Sequence, residues 1–400
     1  MMHSRGSTPL PRTVLLAVAA LALVLAACGG DDDAAPADDG AEEAAADEDP
    51  ADADAADPDG DFEVAFSLFT EAAPLFRSIR TNLDDVLAEG GFGVDVTWYD
   101  NEADPGVMLE NAQLMIDAQP DGIVFYPVST ATAGIGEMFD ESGIPCVAVN
   151  LDIPGCPFLN IDNAALGDQT AQIIGDIAVE LGWDASNTTV LLGQNAAAGE
   201  QVNDAVRFFY ASIAPIMGFE EVPVEDITPS TTRISDNAIQ FDGQSTLQPS
   251  FEAVSGLLPG VPADHNIILY TVNNDSTTGA LRALEEAGRG EVGQLLIGGL
   301  GGDVTGLETL RDDERWVAEG DIFIDWWGQY AIAMAQSLAA GATPPEEVTA
   351  LPQAVVTMDD VGQFRDLDSL EVVELPPLES SNEYLRESGF LQQVGNVEGL

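Results

Sequence analysis

The sequence predicts an α/β protein made of two similar doubly wound lobes, each built on a mainly parallel sheet. From Phe62 onward, short runs rich in β-branched and aromatic residues alternate with longer amphipathic segments, which is the pattern of βαβ units. The short runs are almost entirely apolar, as strands are when helices cover both faces of a sheet. The pattern occurs twice along 400 residues, a length that exceeds what one core usually holds.

The first lobe has the clearer pattern. Strands are predicted at 64–69, 94–99, 123–126 and 147–150, with helices at 74–89, 105–118 and 131–141. The first helix carries Leu75, Ile79 and Leu83 at spacings of three to four, which forms a stripe that packs on a sheet. We assign residues 62–161 and 322–355 to this lobe.

The second lobe repeats the pattern. Its predicted strands are at 189–192, 267–272 and 295–298, and its predicted helices are at 165–181, 200–214, 246–258 and 276–287. An apolar segment at 316–324, a helix at 326–340 and a short strand at 354–358 follow. Residues 220–244 are expected to hold one strand and a long surface excursion. We assign 162–321 and 356–370 to this lobe, which leaves 371–400 as an extension without a predicted structure.

The N-terminus predicts export. After Arg12 and Thr13, the run at 14–27 holds fourteen apolar residues, fewer than the roughly 20 of a membrane span, so residues 1–27 are expected to be a signal peptide. Residues 25–28 read Leu-Ala-Ala-Cys and resemble the lipobox of bacterial lipoproteins, which ends in Cys28. The resemblance implies a lipid on Cys28 that anchors the chain outside the cytoplasm. An ordinary cleaved signal with an incidental cysteine is the alternative.

The composition predicts a tether and excludes some partners. Residues 29–61 hold fifteen Asp or Glu and no aromatic residue, so together with Cys28 they are expected to form a disordered tether at 28–61. The whole chain carries a net charge of −58. That charge repels nucleic acids and anionic lipid heads. We therefore expect no nucleic-acid partner, and contact with the membrane only through the lipid anchor.

Few residues are available for catalysis. The chain has no Lys, and His265 is its only histidine after the signal, so we expect no enzyme, metal or cofactor. A secreted hydrolase that uses a carboxylate pair stays an alternative. Cys146 and Cys156 are ten positions apart, and they form either a disulfide or two separately buried thiols.

Polar and aromatic residues follow the predicted strands, where ligands of open parallel sheets bind. The candidates at these strand ends are Phe69, Thr70, Glu71, Ser129, Asn150, Asp152, Asn195, Asn274, Asp275 and Asp303. Neutral amides and carboxylates beside aromatic faces suit a polyhydroxyl ligand, because each hydroxyl both donates and accepts a hydrogen bond.

Several of these segments resemble one protein family. The stretches VAFSLFTEAAPLFRSIRTNL, DGIVFYPVSTATAG, LNIDNAALGDQTAQIIGD and VNNDSTTGALRALEEAGR are similar to parts of the periplasmic sugar-binding proteins of the ribose and galactose type. The resemblance covers about residues 62–345. It implies a monomeric two-lobe clamp of the type I periplasmic-binding fold, with a three-stranded hinge. Such a clamp closes on one sugar and presents it to the permease of an ABC transporter.

The resemblance also implies site residues. By position, Leu75, Phe76, Asn150, Asn274 and Asp275 would face the cleft. Asn203 and Arg207 lie on the helix where the family places a ligand-binding arginine.

The chain departs from the family pattern at some positions. Leu300 stands where the family has an Asp, and Ala73 stands where it has a polar residue; Asp303 or Glu71 would have to compensate. Trp326, near the last crossover, is a further candidate for the cleft wall. These departures leave the solute open, and a receptor of the same fold for a nucleoside or a signalling molecule is the alternative.

Overall fold

The computed structural model describes residues 61–346, 348–395 and 397. The predicted signal peptide, Cys28 and the tether up to residue 60 lie outside the described residues. The strands are β1 (Phe62–Leu68), β2 (Val94–Asp100), β3 (Gly122–Phe125), β4 (Cys146–Val149), β5 (Phe158–Asn160), β6 (Thr188–Gln194), β7 (Arg233–Ser235), β8 (Ala238–Asp242), β9 (Asn266–Thr271), β10 (Leu295–Gly301), β11 (Trp316–Asp321), β12 (Thr349–Ala350) and β13 (Ala354–Val356).

The helices include the amphipathic helices of the two lobes and a short helix near the C-terminus. They are α1 (Pro74–Ala88), α2 (Pro105–Asp117), α3 (Ala133–Ser142), α4 (Asn163–Glu180), α5 (Gly199–Met217), α6 (Leu247–Leu257), α7 (Asn274–Glu286), α8 (Val304–Asp312), α9 (Trp327–Ala339) and α10 (Phe390–Val394). Among the described residues, none of these helices is long and apolar enough to cross a bilayer.

The strands form two sheets, one in each lobe, as the sequence predicts. The first has the order β12-β5-β4-β3-β1-β2 and is parallel throughout. The second has the order β13-β11-β10-β9-β6-β8-β7, with antiparallel pairing only at its two edges. The short β5 and β12 are the strands that the sequence pattern leaves out, and residues 220–244 hold two strands, β7 and β8, where the sequence predicts one.

Local sequence signals explain where the helices begin. Pro74 and Pro105 occupy the first turns of α1 and α2, where a missing N–H leaves no donor unpaired. The Asp104 carboxylate caps α2 by accepting from the N–H groups of Gly106 at 2.7 Å and Val107 at 3.1 Å. Both helices begin within a few residues of the strands that precede them, so the helix starts lie at the carboxyl edge of the sheet.

The chain passes between the lobes where β5 leads to α4, where β11 leads to α9, and where β12 leads to β13. The three passages are those that the resemblance implies. The strand predicted at 354–358 belongs to the second sheet, since β13 pairs antiparallel with β11.

The C-terminal extension makes a fourth passage. Leu370 packs in the core of the second lobe, and the chain then returns to the first lobe. There the Tyr384 carbonyl accepts a hydrogen bond from Ser337 of α9, and the Asn382 side chain donates to the Ala350 carbonyl of β12 at 2.8 Å. Residues 371–394 are therefore an additional strap across the hinge, held by contacts that connect residues far apart in sequence.

A buried ionic group joins these passages. The Arg365 guanidinium donates to both oxygens of Asp321, at 2.7 and 2.9 Å, and to Asp325 at 3.0 and 3.1 Å. Only 3% of the Arg365 side chain is exposed, and Asp321 is fully buried. Glu319, two residues before Asp321 on β11, is also fully buried. We refer to Glu319, Asp321, Asp325 and Arg365 as the hinge cluster.

Cys146 and Cys156 form a disulfide, which decides between the two states that the sequence left open. The bridge joins the start of β4 to the loop before β5. It closes the loop that carries Asn150 and Asp152. Among the described residues, no group of His, Cys, Asp and Glu is arranged to hold a metal ion.

Candidate ligand-binding cleft

The carboxyl ends of the parallel strands from the two sheets enclose a cavity between the lobes. Its volume is about 60 Å³, whereas pockets that hold small molecules are typically about 300–1,000 Å³. Its lining residues are Leu75, Phe76, Tyr126, Asn150, Ile161, Asn163, Val202, Ser245, Val272, Asn273, Leu300, Gly301, Ile322, Ile324 and Trp327. The cavity is therefore much smaller than a pocket that holds a small molecule.

The first lobe gives the cavity an aromatic wall. Phe76 of α1 meets the ring of Tyr126 edge-on at a centroid distance of 5.3 Å, and Trp327 of α9 stacks on Tyr126 at 6.4 Å. Phe69 lies behind Phe76, with their centroids 4.8 Å apart. The Trp327 indole N–H donates to the Ile322 carbonyl at 2.8 Å, so this ring is held in place by the second passage between the lobes.

The second lobe and the crossovers give an aliphatic wall. Val202 comes from α5, Val272 follows β9, and Leu300 lies on β10 with 2% of its surface exposed. Ile161 and Ile322 come from the passages between the lobes. Leu300 therefore faces the cavity from the strand end where the family resemblance places an aspartate.

The polar groups of the second lobe are already hydrogen-bonded within the protein. The Asn273 side chain donates to the Ser245 carbonyl at 2.9 Å and accepts from the Ser276 N–H at 3.0 Å, which caps α7. Asn195 donates to the Ser245 hydroxyl at 2.8 Å, and its own carbonyl accepts from Asn203 at 2.7 Å. This network holds the loops at the cleft and leaves little hydrogen-bonding capacity for a ligand.

Three polar side chains at the cavity form no hydrogen bond within the described protein, and we refer to them as unengaged. The amides of Asn150 and Asn163 and the hydroxyl of Tyr126 have no hydrogen-bond partner among the described residues, although all three line the cavity. Asn150 has a φ of 66°, a left-handed conformation that Asn tolerates better than most residues. Burial raises the pKa of the Tyr126 hydroxyl, so it stays protonated and able to donate.

Charged side chains are absent from the cavity lining among the described residues. Glu71 is paired with Arg80, and Arg207 is paired with Asp204. Asp303 caps α8 by accepting from the Gly306 N–H at 2.8 Å, and burial raises its pKa. The nearby acids therefore have partners of their own and leave the cleft neutral.

Behind the cleft, Asn274 points into the protein. Its side chain donates to Glu319 at 2.8 Å and accepts from the Leu300 N–H at 3.1 Å. Glu319 also accepts from the Gly302 N–H at 2.7 Å and from the Trp316 indole at 3.0 Å. Burial raises the pKa of Glu319 to about 8, although these donors and Asn274 oppose part of the shift.

The lobes touch at the rim of the cleft. A Cβ atom placed on Gly199, the first residue of α5, would lie 2.7 Å from Cγ2 of Thr130 in the first lobe. Gly199 has a φ of 78°. Glycine is therefore required here both by the backbone and by the close approach of the opposite lobe.

The sequence of the chain matches a known protein family. The family model described as a periplasmic binding protein domain matches residues 64–343, which is more than half of the chain. This chain belongs to the periplasmic binding protein family. Its two-lobed α/β architecture is the type I fold of that family, and the family and its structural neighbours are solute-binding proteins rather than enzymes. No curated protein matches the chain in sequence.

Similar solved structures include three solute-binding proteins. One is an ABC transporter periplasmic solute binding protein from Actinobacillus succinogenes with bound D-allose, at 17% identity and a TM-score of 0.61, covering 76% of this chain and 99% of that one. The Caulobacter myo-inositol binding protein has 17% identity, a TM-score of 0.61 and coverages of 76% and 95%. A Mycobacterium smegmatis solute binding protein with bound glycerol has 19% identity, a TM-score of 0.63 and coverages of 78% and 99%. The TM-scores show that the three structures share the fold of this chain, although the sequence identities are low.

In this periplasmic binding protein, three of the sequence-predicted residues line the cavity: Leu75, Phe76 and Asn150. Phe69 supports Phe76, while Asn195 and Asn203 belong to the network below the rim. Trp326 is buried but does not line the cavity, and its neighbour Trp327 does.

The other predicted residues lie off the cavity. Thr70 and Ser129 accept from nearby backbone N–H groups in their own loops, and Asp152 is exposed. Asn274 and Asp303 bond within the second lobe, and burial raises the pKa of Asp275 beside them. Glu71 and Arg207 are in ion pairs.

The binding protein also brings residues to the cavity that the sequence did not single out, among them Tyr126, Asn163, Val202 and Ser245. Asn163 lies within the quoted stretch LNIDNAALGD, at the first residue of α4. Asn273 immediately precedes the pair Asn274 and Asp275 at the same strand end, and it is the member of this group that lines the cavity while it caps α7.

Proposed function

We propose that this protein is an extracytoplasmic solute-binding protein of an ABC importer and binds a small, uncharged polyhydroxyl solute, a monosaccharide or a related compound, between its lobes. One observation carries the proposal. Among the described residues of the cavity lining, three polar side chains without any hydrogen bond, those of Asn150, Asn163 and Tyr126, lie near the strand ends between the two sheets, and the Ser245 hydroxyl opposite them is free to donate. Amides and a hydroxyl both donate and accept, which matches the needs of hydroxyl groups.

The aromatic wall supports the same proposal. The faces and edges of Phe76, Tyr126 and Trp327 offer apolar surface to the C–H face of a sugar ring. The neutral lining argues against a solute with a net charge, since a buried charge needs a partner. Solute binding, rather than hydrolysis, is the proposed activity.

Lobe closure is the proposed mechanism of delivery. The ligand binds the closed arrangement preferentially and so shifts an equilibrium between open and closed lobes. The permease then recognises the closed shape of a monomeric binding protein. The lipid on Cys28 and the acidic tether at 28–61 hold the folded part near the membrane that contains the permease.

A thermal-shift screen tests the proposed function. The exported protein is heated with pentoses, hexoses, inositols and nucleosides, because only a ligand that prefers the folded state raises the midpoint. We expect a neutral polyhydroxyl compound to raise it by several degrees. A shift confined to nucleosides would point to the alternative receptor, and a screen without any shift would contradict the proposal.

The anchor is tested separately. Changing Cys28→Ser is expected to release the protein from membranes while the folded part keeps its ligand-induced thermal shift. Continued retention of the variant in the membrane fraction would contradict lipidation at Cys28, and it would leave the proposal for the cleft intact.

A further inference from the structure

The hydrogen-bonding capacity of the cavity is small. On the cavity lining, the side chains without any hydrogen bond are those of Asn150, Asn163 and Tyr126. The Asn273 amide donates to the Ser245 carbonyl, and the Ser245 hydroxyl accepts from Asn195 and keeps only its own O–H free to donate. All three unengaged groups lie in the first lobe or at the first passage between the lobes. The second lobe therefore offers a ligand mainly apolar contact.

The apolar surface opposite these groups is continuous. Val202, Val272 and Leu300 present aliphatic side chains from three different elements of the second lobe. Leu300 is almost fully buried, and a Cβ placed on Gly301 next to it would lie 3.6 Å from Leu75 of the first lobe. Closing the lobes therefore presses an aliphatic surface against whatever occupies the cleft.

A fully hydroxylated hexose fits this arrangement poorly. Its ring carries hydroxyls around its whole edge, and those that meet Val202, Val272 and Leu300 would be buried without a partner. Each such hydroxyl is expected to lower the affinity by about tenfold or more. A methyl or methylene group at the same place would instead gain contact with the apolar wall.

We propose that the physiological solute is uncharged and has one apolar edge, as in a 6-deoxy sugar or an O-methylated cyclitol, with that edge held against Leu300 and its neighbours. The inference rests on the proposed function and specifies the class of solute for the same cleft. The hydroxyls of such a solute face Asn150, Asn163 and Tyr126. Leu300 then acts as the residue that sets specificity.

Matched pairs of ligands test the inference on the unmodified exported protein by isothermal titration. The pairs are L-fucose with L-galactose, D-fucose with D-galactose, L-rhamnose with L-mannose, and pinitol with D-chiro-inositol. Glucuronate and glucosamine are the charged probes. In the pair that binds most tightly, we expect the deoxy or O-methyl member to bind at least tenfold more tightly than its hydroxylated partner.

The outcomes separate the two proposals. Equal or tighter binding of the hydroxylated member would overturn the inference and leave the proposed function standing. Tighter binding of a charged probe would overturn it as well. If no member of any pair binds, and the thermal-shift screen also gives no shift, the proposed function fails together with the inference.

One variant sharpens the test. Leu300→Asn adds a donor and an acceptor to the apolar wall, and it is expected to reduce the preference within the best pair by at least fivefold. Val304→Asn, at an exposed residue of α8 outside the cavity, is the control and should keep the wild-type preference. An unchanged preference in a folded Leu300→Asn protein would contradict the role of Leu300, and the comparison on the unmodified protein is independent of how this variant folds.

Discussion

The cleft and the hinge cluster lie close together in the fold and are built in opposite ways. The hinge cluster buries the Arg365 guanidinium and the carboxyl groups of Glu319 and Asp321, with Asp325 partly buried beside them, and each has hydrogen-bond partners in the protein. The cleft has a neutral lining with three unengaged polar groups among the described residues. The ion pairs of Arg365 thus lie where the chain passes between the lobes, and the described cavity lining carries no charged side chain.

The physical reason is the cost of dehydration. A buried ion pair recovers its desolvation penalty only when its geometry is good and permanent, which the passages at the hinge provide. In the proposed cycle, the cleft would lose water each time the lobes close, so a charged lining would carry that penalty at every closure. A neutral wall would close at low cost and leave ligand recognition to a few amide and hydroxyl groups.

Breaking the hinge cluster is expected to have the largest effect. Arg365→Met leaves Asp321 buried without its partner, which is expected to lower the free energy of unfolding by about 3–5 kcal/mol. Urea denaturation measures the change. Arg311→Met removes an exposed pair with Asp312 and should change stability little; equal effects of the two substitutions would contradict the structural role of the cluster.

The pH dependence of stability tests Glu319. Because burial raises its pKa to about 8, the folded state holds a proton that the unfolded state releases at its ordinary, lower pKa. The free energy of unfolding should therefore fall by roughly 2 kcal/mol between pH 6 and 8. Above pH 8 it should level off, because the folded state has then released the same proton.

The matched variant is Glu319→Gln, whose side chain cannot titrate. Its free energy of unfolding, measured by denaturation at pH 6, 7, 8 and 9, should lack the fall that Glu319 causes. Glu110→Gln, at an exposed residue of α2, controls for the loss of one negative charge. Identical pH profiles for wild type and Glu319→Gln would show that Glu319 is ionised throughout this range.

At the rim of the cleft, Gly199→Ala should weaken ligand binding by at least tenfold. The added Cβ would meet Thr130 across the lobes, so the closed state becomes harder to reach. Gly218→Ala has a similar positive φ of 70° and open space around the new Cβ, which isolates the effect of backbone strain. The expectation fails if both variants lose affinity equally in calorimetric titrations.

The smallest effect is expected inside the cleft, from Asn150→Gly. This change removes one unengaged amide while glycine accepts the positive φ of this position. The affinity should fall by about fivefold to tenfold, as for one hydrogen bond to an uncharged group. Gln244→Gly, at an exposed residue with a φ of 52°, should bind like wild type; an unaltered affinity of Asn150→Gly would remove Asn150 from the site.

The sequence predicts the central strands and the helices well because their apolar periodicity is strong. β1, β3, β4, β9 and α1 lie within one or two residues of the predicted bounds in most cases. The short strands β5, β7, β8 and β12, at or next to the sheet edges, have two to five residues, too few to show a period. The C-terminal strap depends on contacts such as Asn382 with Ala350, which no local pattern contains.

The candidate site is only partly predictable for a related reason. Strand ends predict where a ligand binds, and Leu75, Phe76 and Asn150 do line the cavity. Which of two adjacent residues faces the cavity depends on the exact start of a helix. Asn273 caps α7 at the cavity while Asn274 turns inward to Glu319, and Trp327 takes the position predicted for Trp326.

The most direct test of a clamp that closes on a neutral solute is the distance between the lobes. Nitroxides placed by Glu137→Cys on α3 and Glu200→Cys on α5, both exposed, report it by pulsed electron spin resonance in a Cys28→Ser background that keeps the native disulfide. The neutral compound that gives the largest thermal shift is the probe. The account predicts a shift of the distance distribution to one shorter, narrower population when the probe saturates the protein, and an unchanged distribution at saturation would contradict it.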